Sequence, residues 1–205
     1  MEKELFIETF AQKGCPICNL IDKRFEEFLF WFEREGFRNF SSIKTLQENI
    51  NICQRHRPIL INLQNRLFNT LEPIIESDLK LFNKLLDRQK MPKKLLKGEI
   101  SKECRFCIEE KRIEELLVDF FIQNISAESF LSIYLSSDAL ICRKHLFAIL
   151  NKAPYQKAKP LIEKTINYLK QAENQTKNYF KKLDYLCAEK PHAEAYKKIL
   201  PFYLK

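Results

Sequence analysis

The feature that most constrains this chain is a pattern of cysteine and histidine that occurs twice. Each copy has two cysteines separated by two residues, then thirty-four residues, then a cysteine and a histidine again separated by two (53 − 18 − 1 = 34 and 142 − 107 − 1 = 34). Each position of the second copy follows its counterpart by 89 residues (104 − 15 = 89). The first copy is Cys15, Cys18, Cys53 and His56, and the second is Cys104, Cys107, Cys142 and His145.

Each copy carries the donor set of a structural zinc site. Such sites take four tetrahedral ligands, and three thiolates with one imidazole are a common set. The closing cysteine and histidine are three residues apart, which places them on one face of a helix. We therefore predict two Zn²⁺ ions per chain, each bound within its own copy across the thirty-four-residue gap. Four protein ligands leave no open coordination position, so the predicted sites are structural.

Other chemistries of paired cysteines fit less well. A disulfide framework conflicts with seven cysteines, an odd number, and with a charged N-terminus that lacks the apolar run of a secretory signal. A thioredoxin-like pair needs a βαβ context, and no convincing strand pattern is present. Covalent haem attachment needs histidine directly after the cysteine pair, where Asn19 and Ile108 stand. An iron–sulfur cluster stays open as the alternative cofactor, although its ligands are usually all cysteine.

Composition and periodicity predict an all-α fold of two pseudo-repeated helical units, each with one C-x2-C…C-x2-H zinc site. The chain of 205 residues has only three glycines, which disfavours a turn-rich β fold. Apolar residues recur at helical spacing along the chain. The clearest predicted helices cover 3–13, 16–35, 74–88 and 107–125, and others begin near Ser42, Cys53, Glu128 and Cys142 and after Pro191.

The duplication also suggests a division of the chain. We assign residues 1–88 to the first zinc-binding repeat, 89–103 to a basic linker, and 104–205 to the second repeat with a C-terminal helix. The linker is rich in lysine and is broken by Pro92 and Gly98. The seventh cysteine, Cys187, follows two leucines on an apolar helical face, so we expect it to be buried and structural.

The net charge and the hydropathy of the chain limit which partners it can bind and where in the cell it is expected. The formal net charge of +8 permits binding to nucleic acid or to acidic partners. Two zinc sites, each with three thiolates and one divalent cation, would bring it to +6 (+8 − 2). Three basic residues adjoin the ligands and either offset the thiolate charge or are ordinary surface residues: Arg55, Arg105 and Lys144. The longest strongly apolar run near the N-terminus, residues 28–32, is too short to cross a bilayer, and we predict a cytoplasmic protein with no membrane partner.

The first motif, Cys15-Pro16-Ile17-Cys18 followed by Asn19-Leu20, resembles the C-P-x-C-x-L pattern of a prokaryotic domain-of-unknown-function family. Members of that family have two such motifs, each followed far downstream by C-x-x-H, and a C-terminal Asp-Tyr motif. The second copy here lacks the proline and the leucine, and residues 182–185 fit the Asp-Tyr motif loosely. The resemblance spans nearly the whole chain, and it implies paired metal sites on helices but no activity.

No motif in the sequence indicates catalysis. There is no glycine-rich phosphate loop and no nucleophile motif, and His192, the one histidine outside the pattern, is expected at the surface. The predicted function is a non-enzymatic scaffold or adaptor that binds another macromolecule, with a protein as the expected partner. One alternative is a nucleic-acid-binding protein, favoured by the charge but without a recognition-helix signature. The other is a redox or metal sensor that uses an iron–sulfur cluster or labile zinc.

Overall fold

The computed structural model describes residues 2–36, 52–62, 103–182 and 202–203, with short helical pieces between 75 and 86. Within these residues the regular structure is entirely helical, which confirms the predicted all-α fold. The predicted helix after Ser42, the linker apart from Glu103, Cys187 and His192 lie outside the described residues. The elements are α1 (Glu2–Phe10), α2 (Pro16–Trp31), a π-helical turn (Phe32–Gly36), α3 (Arg57–Asn62), α4 (Arg105–Asn124), α5 (Glu128–Ser136), α6 (Arg143–Lys152) and α7 (Tyr155–Lys182).

The chain forms two compact units that alternate along the sequence. The first, called here the terminal unit, consists of Met1–Lys23 and Glu114–Lys205, and the second, the central unit, is Arg24–Ile113. The boundaries between them fall within α2 and α4. Each unit therefore takes residues from both halves of the duplicated pattern, unlike the contiguous stretches 1–88 and 104–205 assigned from the sequence.

The core of the terminal unit is a cluster of aromatic rings that α1 shares with α4 and α5. Phe6 is fully buried, and its ring centroid lies 5.8 Å from that of Phe121 and 6.0 Å from that of Phe130. Phe10 packs in the same way on Tyr134, at 5.4 Å. Tilted and edge-on pairs at these distances are favourable beyond the area they bury. The N-terminal helix is thus anchored to residues more than a hundred positions further along the chain.

A turn after α1 delivers the first cysteine pair to this unit. The helix ends at Phe10, three residues earlier than predicted, and a turn leads to Gly14, whose φ is +97°. Glycine adopts this left-handed conformation without the penalty that a Cβ brings. The side-chain amide of Asn19 donates a hydrogen bond to the Lys13 carbonyl at 3.2 Å. This contact ties the turn to the start of α2.

The core of the central unit is a second aromatic cluster, between the C-terminal half of α2 and the start of α4. Phe106 is fully buried and lies edge-on to Phe32 at 5.6 Å and to Phe28 at 6.4 Å. Cys104 belongs to the same buried cluster, and Cys53 packs against it. This core therefore adjoins the cysteines of the central unit.

No single described helix is long and apolar enough to cross a membrane. Helices α4 and α5 together pass that test by length and composition, but the chain bends by 108° between them. The buried core helices of a globular protein pass the same test, and both helices contribute buried aromatic residues to the core of the terminal unit.

Candidate metal centres

Three of the four short motifs start a helix, with the second ligand in its first turn, whereas Cys53 to His56 form a turn directly before α3. In all four motifs the carbonyl of the first cysteine accepts a hydrogen bond from the backbone N–H four residues on. The dipole of a helix is positive at its start, where it stabilises thiolates. The donors, at 2.9–3.0 Å, are Asn19 to Cys15, Arg57 to Cys53, Ile108 to Cys104 and Leu146 to Cys142.

The terminal unit contains one group of four donors, which we call the terminal centre: Cys15, Cys18, Cys142 and His145. All four side chains are buried. The Nδ1 atom of His145 lies 3.5, 3.4 and 3.3 Å from the sulfurs of Cys15, Cys18 and Cys142. The sulfurs of Cys18 and Cys142 are 3.8 Å apart. All the donor atoms thus surround one small volume.

The central unit contains the other group, the central centre: Cys53, His56, Cys104 and Cys107. The Nδ1 atom of His56 lies 3.4, 3.5 and 3.4 Å from the sulfurs of Cys53, Cys104 and Cys107. The sulfurs of Cys53 and Cys107 are 3.5 Å apart. His56 and Cys104 are buried, whereas Cys53 and Cys107 are only partly buried. The two centres therefore have the same kinds of donor, three cysteines and one histidine, but differ in the exposure of their side chains.

The pairing of the motifs is crosswise, and the prediction that each copy binds its own ion was wrong. At the terminal centre the cysteine pair of the first copy meets the cysteine and histidine of the second copy. At the central centre the cysteine pair of the second copy meets the cysteine and histidine of the first. The loop between Cys18 and Cys142 spans 124 residues, whereas the loop between Cys18 and Cys53 would span 35 (53 − 18 = 35). Closing the longer loop costs only about 1 kcal/mol more in chain entropy. Burial of Phe6 and Phe10 against the second half of the chain outweighs that cost.

The spacing of the donors fits a tetrahedral ion. With zinc–sulfur bonds of about 2.3 Å and zinc–nitrogen bonds of about 2.0–2.1 Å, two sulfurs lie about 3.8 Å apart and a sulfur and a nitrogen about 3.6 Å apart. The measured sulfur–sulfur distances are 3.5 and 3.8 Å, and the sulfur–nitrogen distances run from 3.3 to 3.5 Å. These sulfurs are far beyond the S–S bond of about 2.05 Å in a disulfide, and the six described cysteines are free thiols. Both groups are able to hold a metal ion.

A carboxylate faces the outer nitrogen of each histidine. Nε2 of His145 lies 3.2 Å from Oε1 of Glu114, and Nε2 of His56 lies 3.7 Å from Oε2 of Glu110. The first contact is close enough for an ion pair, although its angle falls outside hydrogen-bond geometry. A histidine that binds metal through one nitrogen usually directs the other N–H at a carboxylate or carbonyl, which fixes its tautomer. A carboxylate lies near the outer nitrogen at both centres, but Nε2 of His56 is closer to the guanidinium of Arg55, whose Nη2 atom lies 3.3 Å away.

The basic residue before each histidine holds that carboxylate in place. Lys144 Nζ lies 2.7 Å from Glu114, and Arg55 forms an ion pair with Glu110. Two of the three basic residues noted in the sequence thus act through a carboxylate. Sequence reasoning missed both glutamates. Glu110 follows Cys107 by three residues on one helix face, which was a usable signal, whereas Glu114 is recognisable only once the crosswise pairing is known.

The pKa values of the donor side chains are shifted by burial and by the donors and charges next to them. Burial alone would lower the pKa of His145, but hydrogen bonds with the sulfurs of Cys142 and Cys15 outweigh it and raise the pKa to about 9. The hydrogen bond with Cys142 raises the pKa of Cys18, and the hydrogen bonds with Cys15 and Cys18 lower that of Cys142. Burial and the charge of Arg55 lower the pKa of His56. A divalent cation at either centre would displace the shared protons.

Tyr134 positions the chain that leads to Cys142. Its hydroxyl accepts a hydrogen bond from the backbone N–H of Ile141 at 3.3 Å, and the whole side chain is buried. The ammonium of Lys164 on α7 donates to the carbonyl of Ser137 at 2.7 Å and to that of Tyr134. Tyr134 and Lys164 together fix the connection between α5 and α6, although neither stood out in the sequence as a site residue.

Comparison with protein-family models, with curated proteins and with solved structures finds no match. The resemblance to the prokaryotic family with paired motifs stays a prediction.

Proposed function

We propose that the chain is a zinc-stabilised helical scaffold or adaptor that binds another protein. The observation that carries this proposal is the closed form of both centres. In each, three sulfurs and one nitrogen lie within 4.8 Å of one another, and four such donors complete the coordination of a tetrahedral ion without a water or substrate. An ion bound in this way contributes folding free energy rather than chemistry.

Zinc is preferred to an iron–sulfur cluster because of the spacing of the donors. All four donor atoms of each group lie within 4.8 Å of one another. Such close spacing suits a single ion that contacts every donor. A cluster distributes its ligands over two or four irons and needs room for its sulfides, and it is usually bound by cysteine alone. The single histidine in each group also favours zinc.

Exposed aromatic residues beside arginine support a protein partner. In the central unit, Phe30 and Trp31 are 57% and 43% exposed, and the guanidinium of Arg34 lies 4.2 Å from the centroid of the Phe30 ring. In the terminal unit, Phe147 is 51% exposed and Arg143 lies 5.1 Å from its ring. Aromatic residues and arginine are enriched in protein interfaces and carry much of their binding energy. The adaptor proposal places a contact at these residues.

The metal part of the proposal is tested by elemental analysis of protein purified without added metal. We expect two zinc equivalents per chain and a colourless protein. Iron with inorganic sulfide, and a coloured protein that bleaches in air, would instead support the sensor alternative.

The partner part is tested by affinity capture from the native cell with the zinc-loaded chain and with its Trp31→Ala variant. Tyr155→Ala, which removes an aromatic ring that is 67% exposed in the terminal unit, is the matched control. We expect a protein that is captured by the wild type and by the control but not by Trp31→Ala. Strong salt-dependent binding to generic DNA or RNA, with no captured protein, would favour the nucleic-acid alternative.

A further inference from the structure

We propose that the central centre is a peroxide-sensitive zinc switch, whereas the terminal centre is a permanent structural site. This inference rests on the proposed zinc binding and adds a function to one of the two sites. The observation behind it is a difference in burial between two otherwise equal donor sets. Cys15, Cys18 and Cys142 are 3%, 6% and 1% exposed, whereas Cys53 and Cys107 are only partly buried.

Exposure matters because an oxidant has to reach sulfur. A cysteine held by a metal is a thiolate, the form that peroxide oxidises, and its oxidation then depends on access. A peroxide meets a partly buried thiolate at the central centre directly. At the terminal centre it must wait for a local opening of the packed α1, α2 and α6 segments.

The two accessible sulfurs are also neighbours. Cys53 and Cys107 have their Sγ atoms 3.5 Å apart, and they come from two different segments, the loop before α3 and the first turn of α4. Formation of a disulfide needs an approach to about 2.05 Å. The remaining ligands of this centre, Cys104 and His56, are buried. The reactive pair is therefore defined by both exposure and distance.

The reaction with hydrogen peroxide balances without a further reagent. One thiolate of the pair attacks an oxygen of the peroxide, so that an S–O bond forms, the O–O bond breaks and hydroxide leaves. The second thiolate then attacks the sulfur of the resulting sulfenic acid, so that an S–S bond forms and a second hydroxide leaves. The two thiolates have lost two electrons, and the two hydroxides take up protons to become water. Zinc is left with two ligands and dissociates.

Loss of this ion would loosen the central core. The ring of His56 lies 5.5 Å from that of Phe25 and 5.8 Å from that of Phe106, and Cys104 lies in the same buried cluster as Phe32. The ion thus ties the packed ends of α2 and α4 to the start of α3. We expect oxidation to expose these rings.

The experiment uses the holo protein with two zinc equivalents, treated with hydrogen peroxide in the presence of a chromogenic zinc chelator. We expect one equivalent to be released at least about tenfold faster than the other, because only the terminal centre needs local opening. At the end of the fast phase, peptide mapping should find a Cys53–Cys107 disulfide and reduced Cys15, Cys18 and Cys142. A thiol reductant with added zinc should restore two equivalents.

Two double variants show which centre releases its zinc in the fast phase. Cys53→Ser with Cys107→Ser should remove it, while Cys18→Ser with Cys142→Ser should keep it. Equal release rates for both equivalents, or oxidation of the terminal cysteines first, would refute the switch while leaving the zinc proposal intact. A protein that never binds two zinc ions would instead refute the proposed function. If the variants do not fold, the peptide map of the wild-type protein decides alone.

Discussion

The imidazole of His145 faces the carboxylate of Glu114, with 3.2 Å between Nε2 and Oε1. Nδ1 of the same ring points at three sulfurs, so the histidine links a candidate metal centre to a carboxylate on α4. Lys144, which directly precedes His145, binds the other oxygen of that carboxylate. In the central unit Glu110 lies further from its histidine, with 3.7 Å between Oε2 and Nε2 of His56, and it forms an ion pair with Arg55.

The first prediction concerns this carboxylate. Glu114→Gln removes its charge and should weaken zinc binding at the terminal centre about 10- to 100-fold, the range typical of such partners. The central centre should keep its affinity and so serves as an internal reference. Competition with a chelator of known affinity measures both. The matched control is Glu115→Gln, the next residue of α4, whose side chain is exposed. Equal affinities in the wild type and both variants would show that Glu114 has no influence on the metal.

The second prediction concerns the hydroxyl of Tyr134. Tyr134→Phe leaves the backbone N–H of Ile141 without its acceptor inside the protein, which should cost about 1–3 kcal/mol of unfolding free energy. Chemical denaturation of the holo protein measures this. Tyr155→Phe removes a hydroxyl from a ring that is 67% exposed and should leave stability unchanged. A stability equal to that of the wild type for Tyr134→Phe would mean that Ile141 has another partner.

The third prediction concerns the packing of α1. Phe6 is fully buried, stacks on Phe120 at 5.5 Å and contacts Phe121 and Phe130. Phe6→Ala should therefore destabilise the protein by about 3–5 kcal/mol and raise the rate of zinc loss from the terminal centre. Phe147→Ala, which truncates a half-exposed ring of the same unit, should have little effect on either quantity. A small effect of Phe6→Ala would contradict the anchoring role of α1.

Much of this arrangement was visible in the sequence because it depends on local pattern. The eight residues of the two donor groups were selected by spacing alone, and the starts of α2, α4 and α6 lie within two residues of the predicted positions. These features are set by residues close together in the chain, where helical periodicity and turn chemistry decide.

The pairing of the motifs was not visible for a physical reason. Both copies have identical spacing, so ligand chemistry is equally satisfied whichever closing pair meets a given cysteine pair. Loop closure prefers the nearer pair by only about 1 kcal/mol, which is less than the burial of one phenylalanine side chain. The choice is therefore made by tertiary contacts such as that of Phe10 with Tyr134. An aromatic stripe on α1 predicts that it is buried but not against which helix.

The most direct test of the account is the zinc content of two double variants. Cys18→Ser with Cys142→Ser removes two ligands from the terminal centre alone, and this protein should retain one zinc equivalent. Cys18→Ser with Cys53→Ser damages both centres and should retain none at the same chelator concentration. If each copy of the pattern instead bound its own ion, the results would be reversed: the first variant would lose both ions, and the second would keep one.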